Sequence, residues 1–233
     1  MVYHQSDDSW QVVQALEAIA KRNGVKFHYN SPVKRVITSN DTATGVQLED
    51  GTTHSADLVV VNADLVYAYS NLLPDPKSRY SSSLTKRESS CSSISFYWSL
   101  DRIVPELGIH NIFLADHYAE SFDSIFKKHA MPDEASYYVN VPSRIDPSAA
   151  PEGKDAVVVL VPVGHITQGE TAQDFKKMVD DAREQVLSGI ESRLGVKDFR
   201  SWIVEEQIND PISWRDKFNL DKGSILGLSH SFL

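Results

Sequence analysis

Residues 30–65, NSPVKRVITSNDTATGVQLEDGTTHSADLVVVNADL, read as three short strands joined by two turns. The first strand carries the β-branched residues Val33, Val36 and Ile37. It ends in Ser39-Asn40-Asp41-Thr42, whose side chains bond their own backbone and so favour a turn. The second, Gly45-Val46-Gln47-Leu48-Glu49, alternates apolar with polar positions and stops at Asp50-Gly51, a pair that tolerates the positive φ angles of a tight hairpin. The third, Ala56-Asp57-Leu58-Val59-Val60-Val61, is apolar without alternation, the pattern of a strand covered on both faces inside a layered α/β sheet. It ends at Asn62-Ala63-Asp64.

On the N-terminal side, Val12, Val13, Leu16, Ile19 and Ala20 recur at helical spacing up to Asn23-Gly24, which predicts an amphipathic helix with a glycine stop and a cap at Ser6, Asp7 or Asp8. On the C-terminal side, Tyr67, Tyr69, Leu72 and Leu73 form a short apolar segment closed by Pro74-Asp75-Pro76, a candidate domain boundary. Residues 94–100, 111–114, 137–141 and 156–163 are strand-like between Pro and Gly turns, so the region from 90 to 165 reads as an antiparallel meander. At Thr171 the period switches to 3.6: Phe175, Met178, Val179, Ala182, Val186, Leu187, Ile190 and Leu194 share one helical face. Thr171 with Asp174 has the spacing of a capping box, and Gly195 sits where a left-handed cap belongs. Residues 196–208 read as a helix end followed by a strand, and the tail is loop-rich.

The chain has 233 residues, 41% hydrophobic and 24% charged, with a formal net charge of −9. That composition supports a sizeable core, and the acidic balance argues against nucleic acid, whose phosphates call for clustered Lys and Arg. The single cysteine, Cys91, leaves no internal disulfide or multi-cysteine metal site. No apolar run approaches the ~20 residues that span a bilayer, so any membrane contact is expected to be peripheral.

Chemistry is sparser than fold. The eleven glycines never fall in the spacing Gly-x-Gly-x-x-Gly, so the phosphate-cradling turn of a dinucleotide-binding unit is missing from these residues. Neither a Gly-x-Ser-x-Gly elbow nor a His-Glu-x-x-His metal helix occurs. His110 and His117 are too far apart for ligands one helical turn apart, and no metal is expected. Cys91 lies among serines without a neighbouring base, and Asp210 and His230 read as capping or hydrogen-bonding residues of the tail, so no catalytic residue is named.

Several ordered segments carry a family resemblance: Ser31-Pro32-Val33, Gly45-Val46, Asp50-Gly51, Ala56-Asp57 and Asn62-Ala63-Asp64, then Leu72-Leu73-Pro74 and Ser93 to Trp98. Pro142-Ser143-Arg144-Ile145-Asp146-Pro147, Pro151-Glu152-Gly153, Asp210-Pro211, Trp214 and Gly223 to Leu228 follow. Together they resemble the bacterial and fungal type of phytoene desaturase, most closely its fungal members, within the amine-oxidase-like flavin oxidoreductases. Family members usually carry a Gly-Gly-Phe-like segment before the first helix, where Asp8-Ser9-Trp10 stands here.

The resemblance implies an α/β (α+β) architecture. Residues 1–66 would be part of a Rossmann-like FAD-binding domain, 67–208 a substrate domain of antiparallel sheet and helices, and 209–233 a return toward the FAD domain. It implies FAD as cofactor, with Val33 offering backbone groups to the adenine and Asn62 and Ala63 near the flavin, and NAD as one acceptor of the electrons. It implies an uncharged polyene, phytoene, held by apolar walls for which Phe96, Tyr97, Trp98 and Phe113 are the candidates. A peripheral location on an internal membrane, the endoplasmic reticulum or a lipid body, goes with such a substrate. The resemblance makes these residues the middle-to-late portion of such a desaturase. Two other readings stay open: a truncated or mis-started product that folds partly, has no catalysis and serves as a binding module, and another flavin oxidoreductase such as a porphyrinogen or amine oxidase, which the Pro142 to Pro147 segment disfavours.

Overall fold

The computed structural model describes residues 8–229. Helix α1 (Asp8–Arg22) is followed by a three-stranded sheet, β1 (Val33–Ser39), β2 (Thr42–Leu48) and β3 (Thr53–Ser55), in the order β1-β2-β3. Asn40 and Asp41 take φ angles of 49° and 60°, so the β1–β2 loop has the two left-handed residues that match the twist of a two-residue hairpin. At the second turn Gly51 has φ 89° and the Asp50 carboxylate accepts from the Thr52 N–H at 2.8 Å. Gly45 lets β3 approach, since a Cβ there would stand 2.1 Å from the His54 carbonyl oxygen.

The third strand is not where the apolar run predicts it. The β2–β3 ladder ends at Ser55; the Ala56 N–H still donates to the Thr44 carbonyl at 3.0 Å, and residues 57–61 run on without strand partners. Leu58 and Val60 are 76% and 81% exposed. A run without alternation forms a strand only where both of its faces are covered. Among the described residues this one is covered only in part, at Val59. The stripe of α1 is likewise in the open, with Val12, Val13, Leu16 and Ile19 all exposed. The α1 caps at Ser6 and Asp7, and His230, lie outside the described residues.

Asp64 caps the short helix α2 (Leu65–Tyr67), accepting from the Tyr67 N–H at 2.9 Å, and a π-helical turn continues from it over Ala68–Leu72. Helix α3 (Arg79–Leu84) leads to the larger sheet: β4 (Ser92–Leu100), β5 (His110–Phe113), β6 (Tyr137–Asn140), β7 (Ala156–Val163) and β8 (Ile203–Asn209), in the order β5-β6-β7-β4-β8. Every strand pair among the described residues is antiparallel. Helix α4 (Tyr118–Phe126) lies between β5 and β6, α5 (Ala172–Leu194) between β7 and β8, and α6 (Pro211–Phe218) follows β8.

The core is the layer between α5 and one face of the larger sheet. Ile94, Phe96, Trp98 and Leu100 of β4 and Val157, Val159, Val161 and Val163 of β7 meet Val179, Ala182, Val186, Leu187 and Ile190 of α5. Full burial of side chains of this size stabilises by about 2–3 kcal/mol each. The helix bounds follow from its ends as the sequence reads: Thr171 and Asp174 form a reciprocal capping box, and Gly195 closes the last turn at φ 68°. Gly189 allows the closest contact with the sheet, because a Cβ there would stand 2.1 Å from the Tyr137 hydroxyl.

The segment after β6 is pinned by an ion pair. Asp155, 1% exposed at its side chain, accepts from Arg144 Nη1 at 2.7 Å, from the Ser143 hydroxyl at 2.8 Å and from the Val104 N–H at 2.8 Å. Arg144 in turn donates to the Val104 carbonyl at 2.6 Å. Truncating one member leaves the other charge without its partner, so Asp155→Ala is expected to lower unfolding stability by about 3–5 kcal/mol in urea titrations, with little change in the denaturant slope.

Candidate functional site

Successive residues of β4 point to opposite faces of the sheet. With Phe96 and Trp98 turned to α5, Ser95, Tyr97 and Ser99 face the other way. Helix α6 closes one end of that second face, where Trp214 Nε1 donates to the Ser93 carbonyl at 2.9 Å. What stays open is a trough of about 500 Å³ with Tyr97 on its floor. One flank is apolar, made by Pro142, Ala149, Ala156 and Val158. The other is polar, with Glu205, Gln207 and Asn209 of β8 and Lys217 of α6, whose ammonium donates to Asn209 Oδ1 at 2.9 Å.

The four residues expected on a substrate wall are divided by the pleat. Tyr97 lines the trough. Phe96, Trp98 and Phe113 lie in the core at 0%, 2% and 6% exposure. Phe96 stacks on Trp98 at 5.5 Å with the Arg183 guanidinium over its outer face, Trp98 Nε1 donates to Glu206 Oε2 at 2.7 Å, and Phe113 stacks on Tyr137 at 4.7 Å. Ser99, Ala149, Ala156 and Gln207 were not singled out by sequence. The alternation Ser93-x-Ser95-x-Tyr97-x-Ser99 was the signal for Ser99 and Tyr97, whereas residues from other elements gave none.

Of the residues expected at a flavin, Val33 opens β1 and is paired with Leu48, and Asn62 and Ala63 are exposed immediately before the Asp64 cap. The tail comes to them. Ser90 donates to the Gly227 carbonyl at 2.9 Å, Ile225 to the Cys91 carbonyl at 3.1 Å and Ser229 to the Glu88 carbonyl at 2.9 Å, so residues 225–229 run beside residues 88–91. Gly227 thereby sits against Asp64, with the Oδ2 atom 3.6 Å from where a Cβ would be. Beside this junction is a second cavity of about 520 Å³, lined among others by Tyr67, Asn71, Arg215, Asp221 and Lys222. Burial raises the Asp221 carboxyl above the ordinary carboxylate range, Lys222 opposes the rise and Asp64 adds to it; its Oδ2 atom has no hydrogen-bond partner. Asp210 is the N-cap of α6, accepting from the Ser213 N–H at 2.7 Å, and Cys91 is half-buried with its thiol pushed up by desolvation, away from thiolate chemistry.

A third feature faces the tail from the end of β7. His165, 7% exposed, meets His129 edge to face at 4.2 Å, and its Nδ1 atom has no hydrogen-bond partner. Gly164 makes the approach feasible, since a Cβ there would stand 2.0 Å from the His129 carbonyl carbon. Burial, then the nearby His129 and Lys222, lower the His165 pKa from 6.5 to about 4. The folded state therefore holds His165 neutral while the unfolded chain takes up the proton. Its contribution to stability is whole above pH 6.5, falls as pH drops toward 4, and amounts to about 2 kcal/mol lost by pH 5. Urea titrations at pH 7.5 and 5 are expected to show that loss, and His165→Asn is expected to flatten it.

Comparison with known proteins adds the following. Residues 10–209 match the family described as flavin containing amine oxidoreductase. Phytoene desaturase of Fusarium fujikuroi is 54% identical over 96% of this chain and 42% of its own length. Phytoene desaturase of Neurospora crassa is 51% identical over 95% of this chain and 39% of its own. The zeta-carotene-forming phytoene desaturase of Myxococcus xanthus is 41% identical over 96% of this chain and 42% of its own. The chain thus spans about two-fifths of the length of the curated relatives it matches. An oxidoreductase from Methanosarcina mazei superposes with a TM-score of 0.58 at 20% identity, over 85% of this chain and 41% of its own. Reduced UDP-galactopyranose mutase does so with 0.50 at 12%, over 88% and 41%. These two likenesses establish a shared mixed α/β fold over most of the chain.

Proposed function

This chain belongs to the flavin containing amine oxidoreductases, and from that premise we propose that the complete gene product is an FAD-dependent desaturase of phytoene in carotenoid biosynthesis. The observation that carries the proposal is the identity above one half to fungal phytoene desaturases along nearly all of the chain.

The surroundings of Asp64 support a flavin contact there. Asn62 and Ala63 present exposed backbone at the end of an extended stretch, and Gly227, with φ 69° and no side chain, faces the same place. Val33 would offer backbone groups to the adenine, which needs no particular side chain. The pyrophosphate would need a glycine turn that these residues lack, so cofactor binding is a property of the complete protein. FAD, when bound, would supply a two-electron acceptor for a hydride lost from one C–H bond of a saturated CH–CH unit, the proton leaving from the neighbouring carbon to a base or to water as the C=C bond forms.

The chain's own part is to hold the substrate. Phytoene has no charge to pair with, so its affinity comes from apolar burial, which the flank of Pro142, Ala149, Ala156 and Val158 with the Tyr97 ring supplies. Phe96, Trp98 and Phe113 would support that wall from behind. The trough's polar flank keeps its groups satisfied or solvated, so the polyene need not desolvate them. The division into 1–66, 67–208 and 209–233 is part of this proposal, as is a peripheral contact with an internal membrane or lipid body, where such a substrate resides; no helix among the described residues is long and apolar enough to cross a membrane. NAD is one candidate for the final acceptor of the electrons.

A second reading, a binding module without catalysis, applies to the 233 residues alone and rests on the missing glycine turn. FAD titration followed by flavin fluorescence and absorbance separates the two. The 233-residue chain is expected to bind no FAD tightly, and the complete gene product to bind it and to dehydrogenate phytoene. Tight binding by the short chain overturns the need for the glycine turn, and a complete product without flavin overturns the desaturase.

A further inference from the structure

We propose that the open-face trough limits how far a polyene can be advanced past the reacting bond, and that Ser99, Ala149 and Ala156 set this limit and with it the extent of desaturation. The inference rests on the desaturase reading above.

A substrate held by apolar contact alone has no fixed register. It can slide along its own axis at little cost, because one stretch of hydrocarbon replaces another against the same wall. Introducing a further double bond requires such a slide, so the position at which sliding stops decides which product is final. The stop has to be steric, since an uncharged polyene offers no group for a polar anchor.

The trough has the form of such a stop. Its length follows β8 from Asn209 to Glu205, and Glu205 pairs with Ser99 of β4, whose other partner is Ala156. Four residues of strand span roughly 13 Å, shorter than an extended carotenoid precursor, so only one arm of the substrate fits. Tyr97, between Val158 and Gln207, is the large side chain of the floor, and beyond it the Ser99–Ala156 row is low. Ala149, 3% exposed, walls this end beside Pro142. Small side chains at these three positions leave room that larger ones would fill, and the Arg144–Asp155 pair holds the wall in place. The relatives named as phytoene desaturases include one named for forming zeta-carotene, so product extent varies among proteins of this kind.

The test uses the complete gene product with bound FAD and phytoene presented in neutral phosphatidylcholine vesicles, with products separated by chromatography and identified by absorption spectrum. Ser99→Leu and Ala156→Leu are expected to raise the ratio of partly to fully desaturated product about tenfold at matched conversion. Ala149→Val adds less volume and is expected to shift the same ratio in the same direction, which keeps the measurement open where a leucine lowers flavin content or melting temperature. An unchanged ratio in variants that keep their flavin overturns the inference while leaving the desaturase reading intact. A wild-type protein that holds FAD but leaves phytoene unconverted removes the desaturase reading itself.

Discussion

The contact between α5 and one face of the five-stranded sheet is the constraint from which the other features follow. Once Phe96 and Trp98 are committed to that layer, the pleat leaves Tyr97 and Ser99 no choice but the opposite face. The same contact fixes which flank of the sheet is free: α5 covers one side along its length, and α6 with the tail covers only part of the other. A trough is what remains uncovered. Its composition is decided by which strands neighbour β4, apolar β7 on one side and polar β8 on the other.

Two polar arrangements position what the core does not reach. Asp155 draws Arg144, Ser143 and the Val104 backbone to one carboxylate, tying the loop after β6 to the loop after β4 and so placing Pro142 and Ala149 over the sheet. An ion pair of this kind gives little net stability compared with an apolar replacement, but it fixes a geometry and is costly to break singly. The tail is held by backbone hydrogen bonds to residues 88–91, which put Gly227 beside Asp64. Residues far apart in sequence are thus gathered beside Asp64, and Lys222 lies near His165.

The parts of the fold legible in the sequence were those set by short-range rules. Helix α5 was readable to the residue at both ends because its cap chemistry and its period agree, and the hairpin turn at Asn40-Asp41 because few other residues accept two successive left-handed conformations. The strands of the larger sheet were readable from alternation between turns, but the meander expected of them was not their order: β4 leaves its sequence neighbour β5 and lies between β7 and β8. The run at residues 56–61 was not, because an apolar run specifies that both faces want cover and says nothing of whether cover is present. The exposed stripe of α1 makes the same point for a helix.

Sequence by itself determined the mixed α/β class, the strand segments of the larger sheet, helix α5 and the family resemblance, since local periodicity and ordered motifs are properties of neighbouring residues. It did not mark α4, or α6 in a tail that reads as loop-rich. Only the tertiary structure decided which aromatic of Phe96, Tyr97 and Trp98 faces open space, since the side taken by α5 selects the buried parity and nothing local to the strand does. Only it brought Ala149, Ala156 and Gln207 to one trough and Gly227 to Asp64, because these meetings depend on strand order and on hydrogen bonds between segments more than a hundred residues apart.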